Sequence, residues 1–515
     1  MHDAMARFKR SRQHGLRQAP LALAMAVALG LTPLAASAAT ITVTSGGDDP
    51  GSTSTCTVRQ AIVSMNNATV TGTNCSNSGA AFGTGDTITF DTGIFPTDGS
   101  GTITLSGSRL SITDANLTVD ATANGNITID ANLLSGVLID SAASGGSLNL
   151  HHLTLRNGNI TTADCKAGKR GGGICSPYAD LVLQDSTVSG NSAQFGGGIY
   201  SYSASITLTH STVSDNSSQF GGGLYSRSGS VTLTDSTISG NSGPFCQGAG
   251  IGTYSGSITL TDSTVSGNSA DHGGGFYSEY GSITLTNSTV SGNSASGGAG
   301  ILTYRGSVTL AYSSVVGNSA NVGAGVYSPY ASITLTHSTV SGNSATSRGG
   351  GAYTLGGTVT LTNSTVSGNS ANGVGGGLGT YNGAVTLTNS TVSGNSANLY
   401  GDGIYTYSGS ATVTLWNSIV AGNSGGGNDI DGAAPGGDHN LIGNVANLDL
   451  GPLADNGGPT LTLLPQTGSA AIDTGGLAHC PATDQRGVLR PQAGFCDIGA
   501  VEVIDPDEIF VNGFE

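Results

Sequence analysis

Short runs of alternating apolar and hydroxyl residues recur along most of the chain. One run reads ITLT from Ile206 to Thr209, where an isoleucine and a leucine alternate with two threonines. This period of two is typical of a strand with one buried face. Each copy continues with a second short run (STVSGN), a variable glycine-rich stretch and a third run (GGGIY), and none has the helical period of an amphipathic helix. The pattern therefore predicts three short strands per copy, joined by tight turns.

The copies follow one another with a nearly constant period from Pro177 to Ser424. The asparagine of each GNS or DNS triplet marks a copy, and successive marks lie 25 to 28 residues apart. The marks are Asn191, Asn216, Asn241, Asn268, Asn293, Asn318, Asn343, Asn369, Asn395 and Asn423. Such a period predicts a solenoid in which stacked coils bury a common core. We expect these asparagines to adopt the left-handed conformation of a sharp corner, with their amides hydrogen-bonded from coil to coil.

The repeat resembles a known family. Val188–Ala193 reads VSGNSA and Gly196–Tyr200 reads GGGIY, which is similar to the polymorphic outer-membrane protein repeat. The resemblance implies an all-β, right-handed parallel β-helix of the secreted bacterial type, and it implies cell-surface display and adhesion. We place this β-helix, with about 25 residues per coil, at residues 86–430.

A second resemblance concerns the segment before the β-helix. Thr55–Ile62 reads TCTVRQAI and is similar to the start of the CSLREA domain, which implies an N-terminal cap over residues 39–85. We expect the run Val58–Asn66 to form a helix that covers the first coil. An open solenoid end would expose apolar surface and unpaired strand edges.

A third resemblance concerns the segment after the β-helix. Residues 431–505 contain LADNGGPT, SAAIDTG, DQRG and DIGAVE in this order, which is similar to the choice-of-anchor Q domain. The resemblance implies surface attachment or secretion rather than catalysis. We interpret the remaining tail, residues 506–515, as a candidate sorting signal.

The first 38 residues are interpreted as a secretory signal peptide. A basic start precedes an apolar run, Leu21–Leu31, that is too short to span a membrane, and Ala36–Ala38 offers a small-residue cleavage site. We therefore predict that the protein is secreted or lies on the bacterial cell surface, where association with the outer membrane is one option. We predict no transmembrane span after cleavage of the signal peptide. The formal net charge of −16 disfavours nucleic acid and anionic lipid as partners, because both need a basic face.

The seven cysteines suit an oxidising compartment. Proximity in the sequence favours three disulfides, which join Cys56 to Cys75, Cys165 to Cys175, and Cys480 to Cys496. Cys246 is then left over, either free or paired with another molecule.

All sixteen tyrosines lie between Tyr178 and Tyr407, and most of them form two columns. The first tyrosine column contains Tyr200, Tyr225, Tyr277, Tyr327, Tyr353 and Tyr405. The second tyrosine column contains Tyr178, Tyr202, Tyr254, Tyr280, Tyr304, Tyr330, Tyr381 and Tyr407. Successive side chains of a strand point to opposite faces. Because Ile199 is expected to point into the core, we expect both tyrosine columns to point outward.

Outward tyrosine rings with hydroxyl donors suit stacking on sugar rings, or a protein interface. The predicted ligand-binding residues are Tyr202, Tyr254, Tyr280, Tyr304, Tyr330 and Tyr381. The alternative is that the rings stack on one another and shield the sheet for stability.

Paired threonines form a further column, as at Thr207 and Thr209, and alternation points both of them outward. A flat lattice of hydroxyl and methyl groups resembles the face of β-helical ice-binding proteins, which makes ice binding a distant alternative function. Ala311 and Trp416 break the pattern, and threonine is in any case a common exposed strand residue.

The position before each Ser-Thr pair is often ionisable, with Asp185, His210, Asp235 and Asp262 on consecutive coils. Neighbours ~4.8 Å apart could share a proton or hold a cation such as Ca²⁺. Asp185, His210 and Asp235 are therefore the candidate catalytic residues of a polysaccharide lyase or hydrolase. The alternative is that Asp and His replace Asn at a turn. No other pattern supports Ca²⁺, and no cofactor is predicted.

The leading hypothesis is a non-enzymatic protein that adheres to, or binds, an extracellular glycan or surface protein through its tyrosine face. A polysaccharide lyase or hydrolase is the alternative. The sequence contains no nucleophile elbow, no paired Cys-x-x-Cys zinc site, no phosphate-binding loop and no HExxH motif.

Overall fold

The computed structural model describes residues 38–142, 145–162, 165–166, 168–243, 245, 247–407, 409–492 and 494–504. The chain winds into an all-β parallel solenoid of about 13 turns with ~26 residues per turn. This finding confirms the predicted β-helix and its period. The predicted signal peptide up to residue 37, Cys246 and the predicted tail at 506–515 lie outside the described residues.

Three long parallel sheets run along the solenoid, and each coil between the first and the last contributes one strand to each sheet in turn. Sheet 1 contains the ITLT runs: Thr40–Val43, Asp86–Phe90, Asn116–Asp120, Ser147–His151, Asp180–Gln184, Ile206–Thr209, Val231–Thr234, Ile258–Thr261, Ile283–Thr286, Val308–Ala311, Ile333–Thr336, Val359–Thr362, Ala384–Thr388, Thr412–Trp416 and Pro435–Asp438. Sheet 2 contains the TVS runs: Gly101–Thr104, Ile127–Asp130, Leu153–Arg156, Thr187–Ser189, Thr212–Ser214, Thr237–Ser239, Thr264–Ser266, Thr289–Ser291, Ser314–Val316, Thr339–Ser341, Thr365–Ser367, Thr391–Ser393, Ile419–Ala421 and Leu441–Gly443. Sheet 3 contains the IYS runs: Leu110–Ile112, Leu138–Asp140, Ile174–Cys175, Ile199–Ser201, Leu224–Ser226, Ile251–Thr253, Phe276–Ser278, Ile301–Thr303, Val326–Tyr327, Ala352–Thr354, Leu378–Thr380, Ile404–Thr406 and Ile430–Asp431.

A fourth strand occurs in several coils between sheet 2 and sheet 3, which the three-strand prediction missed. These strands form two side sheets: Ser192–Phe195 with Ser217–Phe220, and Ser294–Gly297, Ser319–Val322, Ser344–Arg348, Ser370–Ala371 and Ser396–Ala397. Five of these seven side strands are followed directly by a glycine, at which the chain turns back into sheet 3.

The core lies inside the coil, because the strands stack in register. Ile206 pairs with Val231, and Leu208 with Leu233, so apolar positions meet their counterparts on the next coil. Ile206 and Leu208 are fully buried, whereas Thr207 between them stays partly exposed. The alternation read from the sequence is therefore confirmed for sheet 1, and burial of the inward residues is the main stabilising contribution.

The asparagine column is buried and bonded from coil to coil, as expected. The side chain of Asn293 donates from Nδ2 to Oδ1 of Asn318 at 2.9 Å, and its own Oδ1 accepts from the backbone N–H of Asn268 at 3.0 Å. The expected left-handed backbone is wrong for these asparagines. It falls on the residue before each one, which is glycine in most copies, as at Gly292 with φ 61°. Glycine tolerates that conformation without strain, so the asparagine is left to point inward.

The N-terminal end of the solenoid is covered by the only α-helix among the described residues, Val58–Asn67. Thr57 caps it through a capping box with Gln60, which satisfies two backbone N–H groups at the first turn. The apolar face, including Val58, Ile62 and Met65, is buried. The predicted covering helix is thus present. Two short 3₁₀ helices, Thr122–Asn124 and Leu477–His479, complete the helical content of the described residues.

The C-terminal segment, residues 444–504, lies along sheet 2 of the later coils. It contains an antiparallel pair, Leu450–Ala454 with Thr462–Pro465. The side chain of Thr365 donates to Oε1 of Gln485 at 2.7 Å, and the backbone N–H of Ala500 donates to Oγ1 of Thr391 at 3.0 Å. The DQRG and DIGAVE motifs therefore form contacts with the coils. The domain boundaries drawn from the sequence remain predictions.

The three predicted disulfides are present, and they join Cys56 to Cys75, Cys165 to Cys175, and Cys480 to Cys496. No helix among the described residues is long and apolar enough to cross a membrane.

Candidate ligand-binding face

The second tyrosine column occupies the turn between sheet 3 and sheet 1. Tyr202, for example, follows the strand Ile199–Ser201 and precedes Ile206–Thr209. Tyr202 and Tyr304 are partly buried. The other members expose more than a third of their surface, up to 63% at Tyr330. These exposed members are Tyr178, Tyr254, Tyr280, Tyr330, Tyr381 and Tyr407.

Rings of the second tyrosine column also touch one another. Tyr254 and Tyr280 meet edge to face with centroids 5.2 Å apart, and Tyr381 and Tyr407 stack at 4.4 Å. Contacts of this kind hold the rings in place and contribute about 0.5–1.5 kcal/mol each. A ring of the second tyrosine column can therefore be held by its neighbour and still be exposed, because one edge or face of each paired ring remains open to solvent.

The first tyrosine column is not exposed, which corrects the expectation from alternation. Tyr200 is 2% exposed and Tyr353 is 1% exposed, while Tyr225 is half-buried. Alternation places these side chains outside the main core correctly, but the chain entering sheet 3 covers them. The turn glycine four residues earlier packs against the ring. A Cβ at Gly349 would lie 2.3 Å from Cβ of Tyr353, closer than such atoms can approach.

The environment of the first tyrosine column raises the pKa of its phenols. Burial raises the pKa of Tyr327 to about 12, with smaller contributions from neighbouring tyrosines. Burial also raises the pKa of Tyr200, Tyr225 and Tyr353. These hydroxyl groups therefore stay protonated to a higher pH than those of exposed tyrosines, and they can donate hydrogen bonds up to that pH.

Cationic side chains lie over the tyrosine rings at several coils. The Lys166 ammonium lies 3.4 Å from the ring centre of Tyr202, and the Arg227 guanidinium lies 5.1 Å from the same centre. Arg305 lies 5.3 Å from the ring centre of Tyr280. Each distance is within the range of a cation–π interaction. The face thus combines flat aromatic surface with positive charge.

The ionisable column occupies the opposite end of each sheet 1 strand, at the turn into sheet 2. Asp185, His210 and Asp235 do come together. His210 lies 3.8 Å from Asp185 and 3.6 Å from Asp235, and His152 approaches Asp185 at 3.9 Å. All three predicted residues have a left-handed backbone with φ between 47° and 49°. The column therefore lies at left-handed turns between sheet 1 and sheet 2.

A metal centre is not formed by these groups. The described residues contain no set of three His, Cys, Asp or Glu side chains arranged to hold a metal ion. The tyrosine and ionisable columns are also separated by a four-residue strand such as Ile206–Thr209, which spans roughly 13 Å at ~3.3 Å per residue. One sugar ring cannot contact both columns at once.

The threonine face covers sheet 1 between these two columns. Strand pairing aligns Thr207, Thr232 and Thr259 and extends through Thr309. The face is regular and partly exposed.

Several residues at the tyrosine face could not be assigned to it from the repeat pattern. They are Arg170, Phe195 and Arg227, the last of which replaces a tyrosine in the second tyrosine column. Arg170 lies in the insertion at residues 161–173, inside the loop that the predicted Cys165–Cys175 disulfide closes, and this loop comes shortly before Tyr178 in the chain. The short distance along the chain between Arg170 and Tyr178 is the signal that could have placed Arg170 near the tyrosine face.

Comparison with known proteins identifies the fold. The family model described as a right-handed β-helix region matches residues 126–310 and 275–444. Among solved structures, pectate lyase Pel9A is 13% identical over 82% of this chain and 89% of that chain, with a TM-score of 0.30. The Agl-KA catalytic domain is 16% identical over 70% of this chain and 60% of that chain, with a TM-score of 0.28. No curated protein matches the chain. This chain belongs to the right-handed β-helix family.

Proposed function

We propose that this protein is an extracellular or cell-surface binding protein that holds a glycan chain along the second tyrosine column. The observation that carries this proposal is the column of rings at one corner of the coils, six of which are exposed. Neighbouring coils are ~4.8 Å apart, so several rings meet a single extended ligand. The repeat thus provides several ring contacts to one ligand, whereas an isolated tyrosine would provide one.

The chemistry of the rings suits a sugar. A tyrosine ring offers a flat apolar surface for the C–H face of a sugar ring, and its hydroxyl bonds to sugar hydroxyl groups. Ordering a tyrosine restricts only two side-chain torsions, so little conformational entropy is lost on binding. Contacts between rings, such as the one between Tyr254 and Tyr280, reduce that loss further.

The extracellular location is part of the proposal. It is supported by the signal-like leader, the three disulfides and the resemblance of the terminal segments to the CSLREA and choice-of-anchor Q domains. A protein displayed in this way would present its whole length to glycans of the surroundings.

Polysaccharide cleavage is the second candidate, and one observation favours it. Asp185, His210 and Asp235 form a chain of ionisable groups in which the histidine lies between two carboxylates. Such a set can exchange protons with a substrate if the substrate reaches it. Cleavage predicts shortening of a polysaccharide by the wild-type protein and none by Asp235→Asn.

The test uses the mature protein on a panel of immobilised neutral and acidic polysaccharides, with both retained protein and polysaccharide length followed. The double variant Tyr254→Ala/Tyr280→Ala is expected to lose at least ~10-fold in affinity, since central aromatic contacts carry most of the binding energy. The matched control, Thr232→Ala/Thr259→Ala, changes the neighbouring threonine face and should bind as the wild type does. Equal retention of the tyrosine variant and the wild type would refute the proposal.

A further inference from the structure

A cleft of about 220 Å³ opens at the N-terminal end of the tyrosine face. Its walls combine four aromatic rings with two guanidinium groups. They are formed by Arg170, Phe195, Tyr200, Tyr225, Arg227 and Tyr254. The volume is below the ~300–1,000 Å³ of a drug-sized ligand pocket, so the cleft fits one sugar unit rather than an oligosaccharide.

An insertion in the repeat and the disulfide that closes it form one side of this cleft. The disulfide between Cys165 and Cys175 closes the insertion, and both cysteines pack against the buried Tyr200. Arg170 then extends over two rings, 5.1 Å from the centre of Tyr200 and 5.5 Å from that of Phe195. Arg227 reaches the same cleft from a later coil. The two cations thus approach the cleft from different segments.

These two arginines differ from four others of the described chain in what neutralises them. Arg59, Arg156, Arg486 and Arg490 each pair with a carboxylate, at 2.8 to 3.0 Å. Among the described residues, no carboxylate is found within 4.0 Å of Arg170 or Arg227. In a chain with a net charge of −16, the cleft is therefore a local positive site.

The hydrogen-bonding capacity of Arg170 is also largely unused. A guanidinium carries five N–H donors. Nη1 of Arg170 donates to the backbone oxygen of Lys166 at 3.0 Å, while its buried Nε has no hydrogen-bond partner within the described part of the chain. A buried donor without a partner calls for an explanation, and a bound group is one.

We infer that this cleft is a subsite for an anionic sugar unit, carrying a carboxylate or a sulfate ester, within the glycan held along the second tyrosine column. The inference rests on the proposed function and adds the charge class of the ligand. Guanidinium groups bind such oxygen pairs in a two-pronged geometry that a neutral hydroxyl cannot reproduce. The rings of Tyr225, which is partly exposed, and Tyr254, which is exposed, supply the flat surface for the sugar itself.

The rest of the molecule makes this subsite selective. Its overall negative charge repels an acidic glycan from the rest of the surface, so an acidic unit gains most where two cations, Arg170 and Arg227, lie together. Electrostatic complementarity of this kind fixes the register of a ligand as well as its affinity.

The test compares ligands that differ only in charge. Cello-oligosaccharide, β-1,4-oligoglucuronate and sulfated cello-oligosaccharide share one backbone, and a galactan series in neutral, carboxylated and sulfated forms provides a second. Calorimetric titration of the mature protein should give at least ~10-fold higher affinity for an acidic member than for its neutral parent, a ratio expected of charge-assisted hydrogen bonds. Comparison of the sulfated with the carboxylated ligands shows whether the subsite prefers a sulfate ester or a carboxylate.

Two variants and one control locate the effect. Arg170→Gln and Arg227→Gln should each remove most of the ratio between acidic and neutral affinity, since glutamine lacks the charge and the two-pronged geometry of a guanidinium. Arg305→Gln, which removes a cation over Tyr280 outside the cleft, should preserve the preference.

The outcomes separate this inference from the function on which it rests. Equal affinity for neutral and acidic members, or an equal loss in all three arginine variants, would overturn the subsite and leave glycan binding intact. Failure of every ligand, neutral and acidic, to bind would overturn the proposed function and the subsite together.

Discussion

Two columns of tyrosine run side by side along the same edge of this solenoid, two residues apart in each coil. Tyr353 of the first tyrosine column is 1% exposed, whereas Tyr330 of the second is 63% exposed. Both columns share one residue type and one period, so neither property separates a supporting ring from a binding ring. The difference arises from the turn glycine, which lets the incoming chain cover the first column and not the second.

The comparison shows how a repeated column should be interpreted. Stacking gives every position of a solenoid a column, because equivalent residues of successive coils meet. A column that is buried, such as the asparagines, or that has a left-handed backbone, such as Asp235, already has a structural role. The second tyrosine column combines exposure with cationic neighbours, which supports a binding role.

The largest expected effect is on stability in the first tyrosine column. Tyr353→Ala should lower the free energy of unfolding by about 3–5 kcal/mol, because it removes a fully buried aromatic side chain and leaves a cavity. Tyr330→Ala in the second column should change it by less than ~0.5 kcal/mol. Urea denaturation followed by circular dichroism measures both. Similar losses in the two variants would erase the distinction between the columns.

The asparagine column provides a second measure of a purely structural role. Asn293→Ala removes the bond to Oδ1 of Asn318 and the bond to the backbone oxygen of Val265, and leaves buried polar groups without partners. Loss of about 2–3 kcal/mol is expected, with glycan binding per folded molecule unchanged. A matched change on the surface, Ser307→Ala, should be nearly neutral. Reduced binding by folded Asn293→Ala would show that this column also affects the ligand face.

Alkaline titration distinguishes the columns by their phenols. Burial raises the pKa of Tyr327 to about 12, above the ~10 of an unfolded tyrosine. Its contribution to stability is complete below pH ~10 and is lost as the pH rises toward 12, since the fold favours the neutral phenol. Ultraviolet difference titration of the wild type and Tyr327→Phe should assign this late step. Ionisation of Tyr327 near pH 10 would contradict the burial of the first column.

The smallest effect is expected at the ionisable column. Asp235→Asn should change stability by less than ~0.5 kcal/mol, because asparagine occupies the same left-handed position at Asn287, with φ 48°. Asp235→Val should cost about 1–2 kcal/mol, since a β-branched residue is strained there. Thermal unfolding checks both variants. Loss of polysaccharide cleavage in the stable Asp235→Asn variant would instead support the enzymatic candidate.

Much of the fold could be predicted from the sequence, because each copy of the repeat shows the same pattern of strands and turns. Period, strand alternation, the asparagine bonds, the covering helix and the three disulfides follow from spacing or resemblance. The side strands did not follow, because runs such as Ser192–Phe195 lack clear alternation. The burial of Tyr200 was also missed, since alternation gives the direction of a side chain but not what covers it.

Contacts between distant parts of the chain could not be predicted from the repeat. Thr187 and Thr365 occupy the same position in nearly identical copies, yet Thr187 is partly exposed and Thr365 is fully buried. The later coil is covered by the C-terminal segment through Gln485, 120 residues further along. The cleft of Arg170 and Arg227 likewise depends on an insertion whose position against the coils the repeat does not encode.

Footprinting of the tyrosines tests the central claim most directly. The mature protein would be chemically oxidised with and without the polysaccharide that it retains, and each tyrosine followed by mass spectrometry. The account predicts that the ligand protects Tyr254, Tyr280 and Tyr330 and leaves the already shielded Tyr200 and Tyr353 unchanged. Protection confined to other faces, or no protection of the second tyrosine column by a retained ligand, would contradict it.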